Sequence, residues 1–143
     1  MSFLDPGIDY GEDTYFISDT GDNSNNGRSP STPFLNISTA KVLANPGTRI
    51  LINRGDTFAE RITTLAGQNG IYYGTYGTGA QPSVGTFAAG GVNLASTNCT
   101  VEDIAFFQGC DISGGNGGEV ILITNSDNTI RGCTISTGVA EDK

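Results

Sequence analysis

The residues of this 143-residue chain that could do chemistry are carboxylates and tyrosines, because the sequence has no histidine. That absence removes the commonest general base near neutral pH and the commonest metal ligand. A serine or cysteine nucleophile then lacks its usual activating partner. Glycoside hydrolysis would need two carboxyl groups facing each other across roughly 5 to 10 Å, one of them with a raised pKa. The candidates are Glu102, Asp103, Asp111, Glu119 and Asp127. Spacing pairs none of them. Glu102 falls over Arg131 in the repeat described below, and Asp103 falls over Gly132. Asp111 and Glu119 sit in a corner with Gly114, Gly115, Gly117 and Gly118, where water keeps a carboxylate ordinary. No catalytic residue is assigned, and the chain reads as non-enzymatic.

Two features suggest binding, and each has a plainer explanation. Tyr72, Tyr73 and Tyr76 could stack on sugar rings, but alternation along a strand turns Tyr72 or Tyr73 inward, so packing is the stronger reading. Asp22-Asn23-Ser24-Asn25-Asn26-Gly27 places oxygen ligands and a glycine as the first half of a calcium loop does. Its twelfth position is Pro33, where a bidentate Glu is required, so the segment reads as turns. Cys99, Cys110 and Cys133 are odd in number and lack metal spacing, and Cys133 reads as a small buried hydrophobe. No metal or cofactor is expected.

Composition narrows the partners. The net charge is −8 and the seven Lys and Arg are scattered singly, which argues against nucleic acid. The first residues carry neither a basic leader nor a long apolar run, so no signal peptide or membrane span is expected. Charged residues make up 15%, against about 25% in ordinary domains, and 21 glycines with many Asn, Ser and Thr replace them.

These residues must be held by strands and turns. Val92 to Cys110 overlays Ile121 to Val139 without a gap, at an offset of 29 residues. Val92 falls on Ile121, Leu94 on Ile123, Val101 on Ile130, Ile104 on Cys133 and Phe106 on Ile135. Short apolar runs recurring at such a period indicate stacked solenoid coils. Strands are expected at Thr14–Ser18, Arg49–Asn53, Phe58–Ile62, from Ile71 and near Ser83. One helix is expected over Asn36–Ala44, with Ile37, Ala40, Leu43 and Ala44 on one face and Asn36 or Ser38 as cap. The chain divides into an extended arm (1–14), a cap with the first coil (15–62) and further coils (63–143).

Three segments carry a resemblance. They are Tyr15-Phe16-Ile17-Ser18 with Thr20-Gly21-Asp22-Asn23-Ser24-Asn25-Asn26-Gly27 and Thr32-Pro33-Phe34; Pro46-Gly47-Thr48-Arg49-Ile50 with Gly55-Asp56-Thr57-Phe58, Glu60 and Ile62; and Tyr76-Gly77-Thr78-Gly79-Ala80-Gln81-Pro82. Together they resemble the opening of pectate-lyase-like right-handed parallel β-helices, found in polysaccharide lyases and bacteriophage tailspikes. The resemblance implies an all-β, short right-handed parallel β-helix with an N-terminal capping helix and an extended N-terminal arm. Enzymes of that family place catalytic Asp, Glu, Tyr, His or Arg on a groove along their middle coils.

An end coil also exposes an apolar layer, here Ile121, Ile123, Ile130, Cys133 and Ile135. Covering about 300 Å² of it is worth on the order of 7 kcal/mol. The polar tail Val139–Lys143 is too short to do so. The resulting expectation is a non-enzymatic virion component: a tailspike-like homotrimer acting as a head decoration or cement protein on a capsid. Its partner contacts would be Phe3, Leu4, Ile8 and Tyr10 of the arm with Ile121, Ile123, Ile130 and Ile135 of the last coil. The alternative is an N-terminal fragment of a polysaccharide-degrading β-helix enzyme or tailspike whose active site lies downstream. Carbohydrate remains a possible ligand, though not an indicated one.

Overall fold

The 29-residue offset is the strand register of the protein. In a computed structural model, which describes residues 13–85, 91–107 and 121–136, Ile121 pairs with Val92, Ile130 with Val101 and Ile135 with Phe106, all in parallel. In chain order the elements are β1 (Thr14–Ile17), α1 (Ile37–Leu43), β2 (Arg49–Asn53), β3 (Thr57–Phe58), β4 (Ile62–Thr63), β5 (Tyr72–Tyr76), β6 (Ser83–Val84), β7 (Val92–Leu94), β8 (Thr100–Glu102), β9 (Ala105–Phe107), β10 (Ile121–Ile123), β11 (Thr129–Arg131) and β12 (Thr134–Ser136). They form three sheets, ordered β1-β2-β5-β8-β11, β10-β7-β4 and β12-β9-β6-β3. From β2 onward the chain visits the sheets in one repeating order. The fold is therefore all-β, parallel and solenoid-like, with more stacked coils than the single repeat pair exposed in the sequence. The earlier coils escape a fixed-period comparison because their spacings are unequal: Arg49 pairs with Tyr72, Tyr72 with Thr100, and Ile62 with Val92.

Strands of two to five residues have no stability alone, and stacking supplies it. One row of side chains from each sheet fills the interior, including Tyr15, Ile17, Ile50, Ile52, Tyr73, Val101, Phe58, Val84, Phe106, Ile62, Val92 and Leu94. Corners repeat along with the strands. Asn98 and Asp127 adopt positive φ at equivalent places (57° and 61°), as do Asp103 and Gly132 (both 62°). Asn, Asp and Gly tolerate this left-handed backbone best.

The expected strand Phe58–Ile62 is two strands, β3 and β4, in different sheets. Phe58 and Ile62 both face the core, and that even spacing fits a straight strand as well as a bent one. The corner between them turns Glu60 toward the helix. Asn36 occupies the cap position of α1, but its side chain does not cap. Instead the Glu60 carboxylate accepts from the Ile37 and Ser38 amides at 2.9 and 3.1 Å. Replacing Glu60 by Ala should lower stability by about 1 kcal/mol, read as a drop in Tm, because a cap and a favourable charge at the positive helix end are lost together. An unchanged Tm would show that the helix is held by packing alone.

The Asp22–Gly27 loop uses its oxygens on itself. Asp22 accepts from the Ser24 amide and hydroxyl, both at 2.8 Å. Asn23 accepts from the Leu35 and Asn36 amides at 3.0 and 3.1 Å, and Asn26 from the Arg28 amide at 3.0 Å. These are the bonds of a turn assembly that fastens the loop to the start of the helix.

Candidate functional site

Alternation along the five-stranded sheet decides which groups meet outside the core. Ile50, Ile52, Tyr73 and Val101 point inward. Arg49, Leu51, Tyr72, Gly74, Tyr76, Glu102 and Arg131 are therefore presented on the outer face. Gly74 is the notch in that face. A Cβ built there would lie 2.4 Å from Cε1 of Tyr72, so the missing side chain lets the Tyr72 ring lie across the sheet. In this pose the Tyr72 hydroxyl donates to Glu102 Oε2 at 2.7 Å. Arg131 donates to the same oxygen at 3.0 Å, the rung expected from the repeat. The Arg49 guanidinium lies over the Tyr72 ring, 5.5 Å from its centroid. Tyr76 packs edge-on against Phe16 at 5.1 Å.

Asp103 closes one side. Its corner position aims the carboxylate at Arg54, which donates to it, at the Thr75 hydroxyl (3.1 Å) and at the Gln81 amide (2.9 Å). Gln81 also donates to the Gly132 carbonyl at 2.7 Å and accepts from Thr134 at 2.7 Å, joining two coils. Arg49, Arg54, Tyr72, Thr75, Glu102 and Asp103 are among the residues that line a groove of about 560 Å³.

The Arg131 hydrogen bond, followed by that from Tyr72, holds the Glu102 carboxyl below the usual carboxylate range. Burial and then the Glu102 partner push the Tyr72 phenol above its ordinary value. Glu102 is thus an anion at neutral pH, and the oxygens of Asp103 are engaged by three donors. What the groove offers is recognition: a half-buried aromatic ring, an anionic acceptor and a cation lying over that ring.

Of the tyrosines, Tyr73 is core and Tyr72 and Tyr76 line the groove, so packing and exposure divide the cluster. Ile121 and Ile130 pack partly against the core on the outermost strands, while Ile123 and Ile135 remain 43% and 45% exposed there. Phe3, Leu4, Ile8, Tyr10, Cys110, Asp111 and Glu119 lie outside the described residues. Among the described residues no helix is long and apolar enough to cross a membrane. Residue spacing missed the convergence of Arg49, Arg54, Tyr72 and Asp103. The signal was Gly74 between two tyrosines, since a glycine in a strand marks a place where something approaches closely.

No protein-family model and no curated protein matches the sequence. Among solved structures, the chain is similar to a GH136 lacto-N-biosidase from Eubacterium ramulus. The native protein matches at 23% identity with a TM-score of 0.54, covering 69% of this chain and 21% of that one. The selenomethionine derivative matches at 17% identity with a TM-score of 0.56, covering 85% and 34%. The chain therefore spans a fifth to a third of the length of these neighbours, and the likeness is one of fold. It corrects the expectation of a non-enzymatic protein, because the architecture is shared with glycoside hydrolases. Neither neighbour is a virion protein.

Proposed function

We propose that this chain forms the cap and first coils of a carbohydrate-active enzyme built on a right-handed parallel β-helix. The groove over the five-stranded sheet is then part of its glycan-binding surface, with bond cleavage carried out by groups beyond the residues described above. The observation that carries this reading is the Tyr72 ring, laid across Gly74 and fixed by Glu102. An aromatic face held flat beside an acceptor suits a pyranose, which has an apolar face and a rim of hydroxyl donors. The glycoside hydrolases that share the fold support it.

The test is a titration of the protein with a panel of oligosaccharides, followed by NMR shifts of groove residues. Saturable binding is expected. Tyr72→Ala should weaken it about tenfold or more, as loss of a stacking platform worth on the order of 1.4 kcal/mol implies. Binding that leaves the Tyr72, Thr75 and Glu102 signals unmoved would place the glycan elsewhere and overturn the reading.

A further inference from the structure

In a chain of net charge −8, the cations at the groove are not equivalent. Arg54 is paired with Asp103, and Arg131 with Glu102. Arg49 forms no ion pair among the described residues, and its guanidinium rests on the half-buried Tyr72 ring. The outward alternation that aligns Arg49 with Tyr72 in adjacent strands puts both at one end of the same groove. A sugar ring stacking on Tyr72 must take the place of the guanidinium. The displaced fork, still tethered beside the ring, keeps five donors and a full charge, with no acid among the described residues to satisfy them. Glu102, on the strand beyond, accepts from Tyr72 and Arg131 and would repel a second anion at that side. The groove is thus polarised, with an anion-accepting edge at Arg49 and a hydroxyl-accepting edge at Glu102.

From this arrangement we infer that Arg49 is a specificity residue. It selects a glycan whose unit at Tyr72 bears an anionic substituent, a carboxylate or a sulfate, on the edge facing β2. The inference rests on the groove being a glycan site. A neutral sugar would displace Arg49 from Tyr72 and offer it only hydroxyls, whereas an anionic one replaces the cation–ring contact with a charge-assisted hydrogen bond.

Three matched ligands test it by calorimetry: a glucose trisaccharide, its glucuronic-acid counterpart and its 6-sulfated counterpart. At least one anionic ligand should bind about tenfold more tightly than the neutral one, the size expected of one charge-assisted contact, and the advantage should shrink with added salt. Arg49→Ala should bring the anionic and neutral affinities together. Arg49→Lys should keep the preference for sulfate better than that for carboxylate, since a carboxylate uses the planar fork. Equal affinities in the unaltered protein, or a preference that survives Arg49→Ala, would overturn the inference while leaving the groove as a glycan site. Binding of none of the three, together with silence across the wider panel, would remove the groove reading and this one with it.

Discussion

Replacing Asp103 by Ala should destabilise the protein by about 2–3 kcal/mol and lower Tm on the order of 10 °C. The Arg54 side chain is only 15% exposed, and Asp103, at 32%, is its acidic partner. Removing one member of a buried pair leaves a charge with neither water nor a counter-ion, which costs about 3–5 kcal/mol at full burial. The partial exposure of Asp103 lowers that figure, and the loss of the Thr75 and Gln81 bonds adds to it. Two controls separate the causes. Asp103→Gly removes the same carboxylate but relieves the left-handed backbone at φ 62°, so it should be about 1 kcal/mol milder than Ala. Removing Arg54 together with Asp103 should cost clearly less than the two single changes combined, because no orphaned charge remains. Strict additivity in that double-mutant cycle would show that the pair does not hold the coils together. The same change should loosen the groove wall, since Gln81 loses its bond to Asp103 and keeps only those to Gly132 and Thr134.

The second large effect lies at alkaline pH. Tyr73 is 1% exposed and its hydroxyl donates to the Thr63 carbonyl at 2.9 Å. Burial, and then the charges of Cys99 and Glu60, push its phenol well above the ordinary range. An unfolded tyrosine ionises near about 10. A folded pKa above that value means that the native state holds the proton more tightly. The stabilisation is complete below about 10 and is lost as pH rises, at roughly 1.4 kcal/mol per pH unit. By pH 11.5 Tyr73 alone should remove on the order of 2 kcal/mol. Tyr76, which burial and then Asp56 shift in the same direction, adds to the loss. Urea unfolding at pH 8, 10 and 11.5 reads the slope, and tyrosinate absorbance should appear together with unfolding. Tyr73→Phe should cost about 1 kcal/mol at pH 8 through the lost hydrogen bond, yet flatten the alkaline limb. Stability that stays level to pH 11.5, or a Phe variant with the same limb, would contradict the placement of Tyr73 in the core.

How legible the fold was depended on the range of each signal. Helix α1 could be read from Ile37, Ala40, Leu43 and Ala44, because helical spacing is local, but Leu43 is 49% exposed and the cap came from Glu60 across a corner. The rung of Glu102 on Arg131 followed directly once Val101 had been laid over Ile130. Phe58 and Ile62 misled for the opposite reason, since their spacing is unchanged by the bend between them. The absence of spaced acids was also read too far, from the missing carboxylate pair to the absence of enzymatic function. The fold shared with a glycoside hydrolase corrects that step, because the architecture is one on which such an enzyme is built.

The sequence by itself determined the β-rich, parallel, stacked character of this protein. A 29-residue recurrence of Val, Ile and Phe with Asn, Asp and Gly at the corners can bury its apolar rows only by laying one coil on the next. What the tertiary structure alone decided was the groove. Arg54, Tyr72 and the Glu102–Asp103 pair are far apart in the chain and meet only because unequal early coils bring Arg49 onto Tyr72 and Tyr72 onto Thr100. That shift comes from loop lengths rather than from residue types. It sets which outward side chains become neighbours, and with them the notch at Gly74 and the stacking of Arg49 on Tyr72.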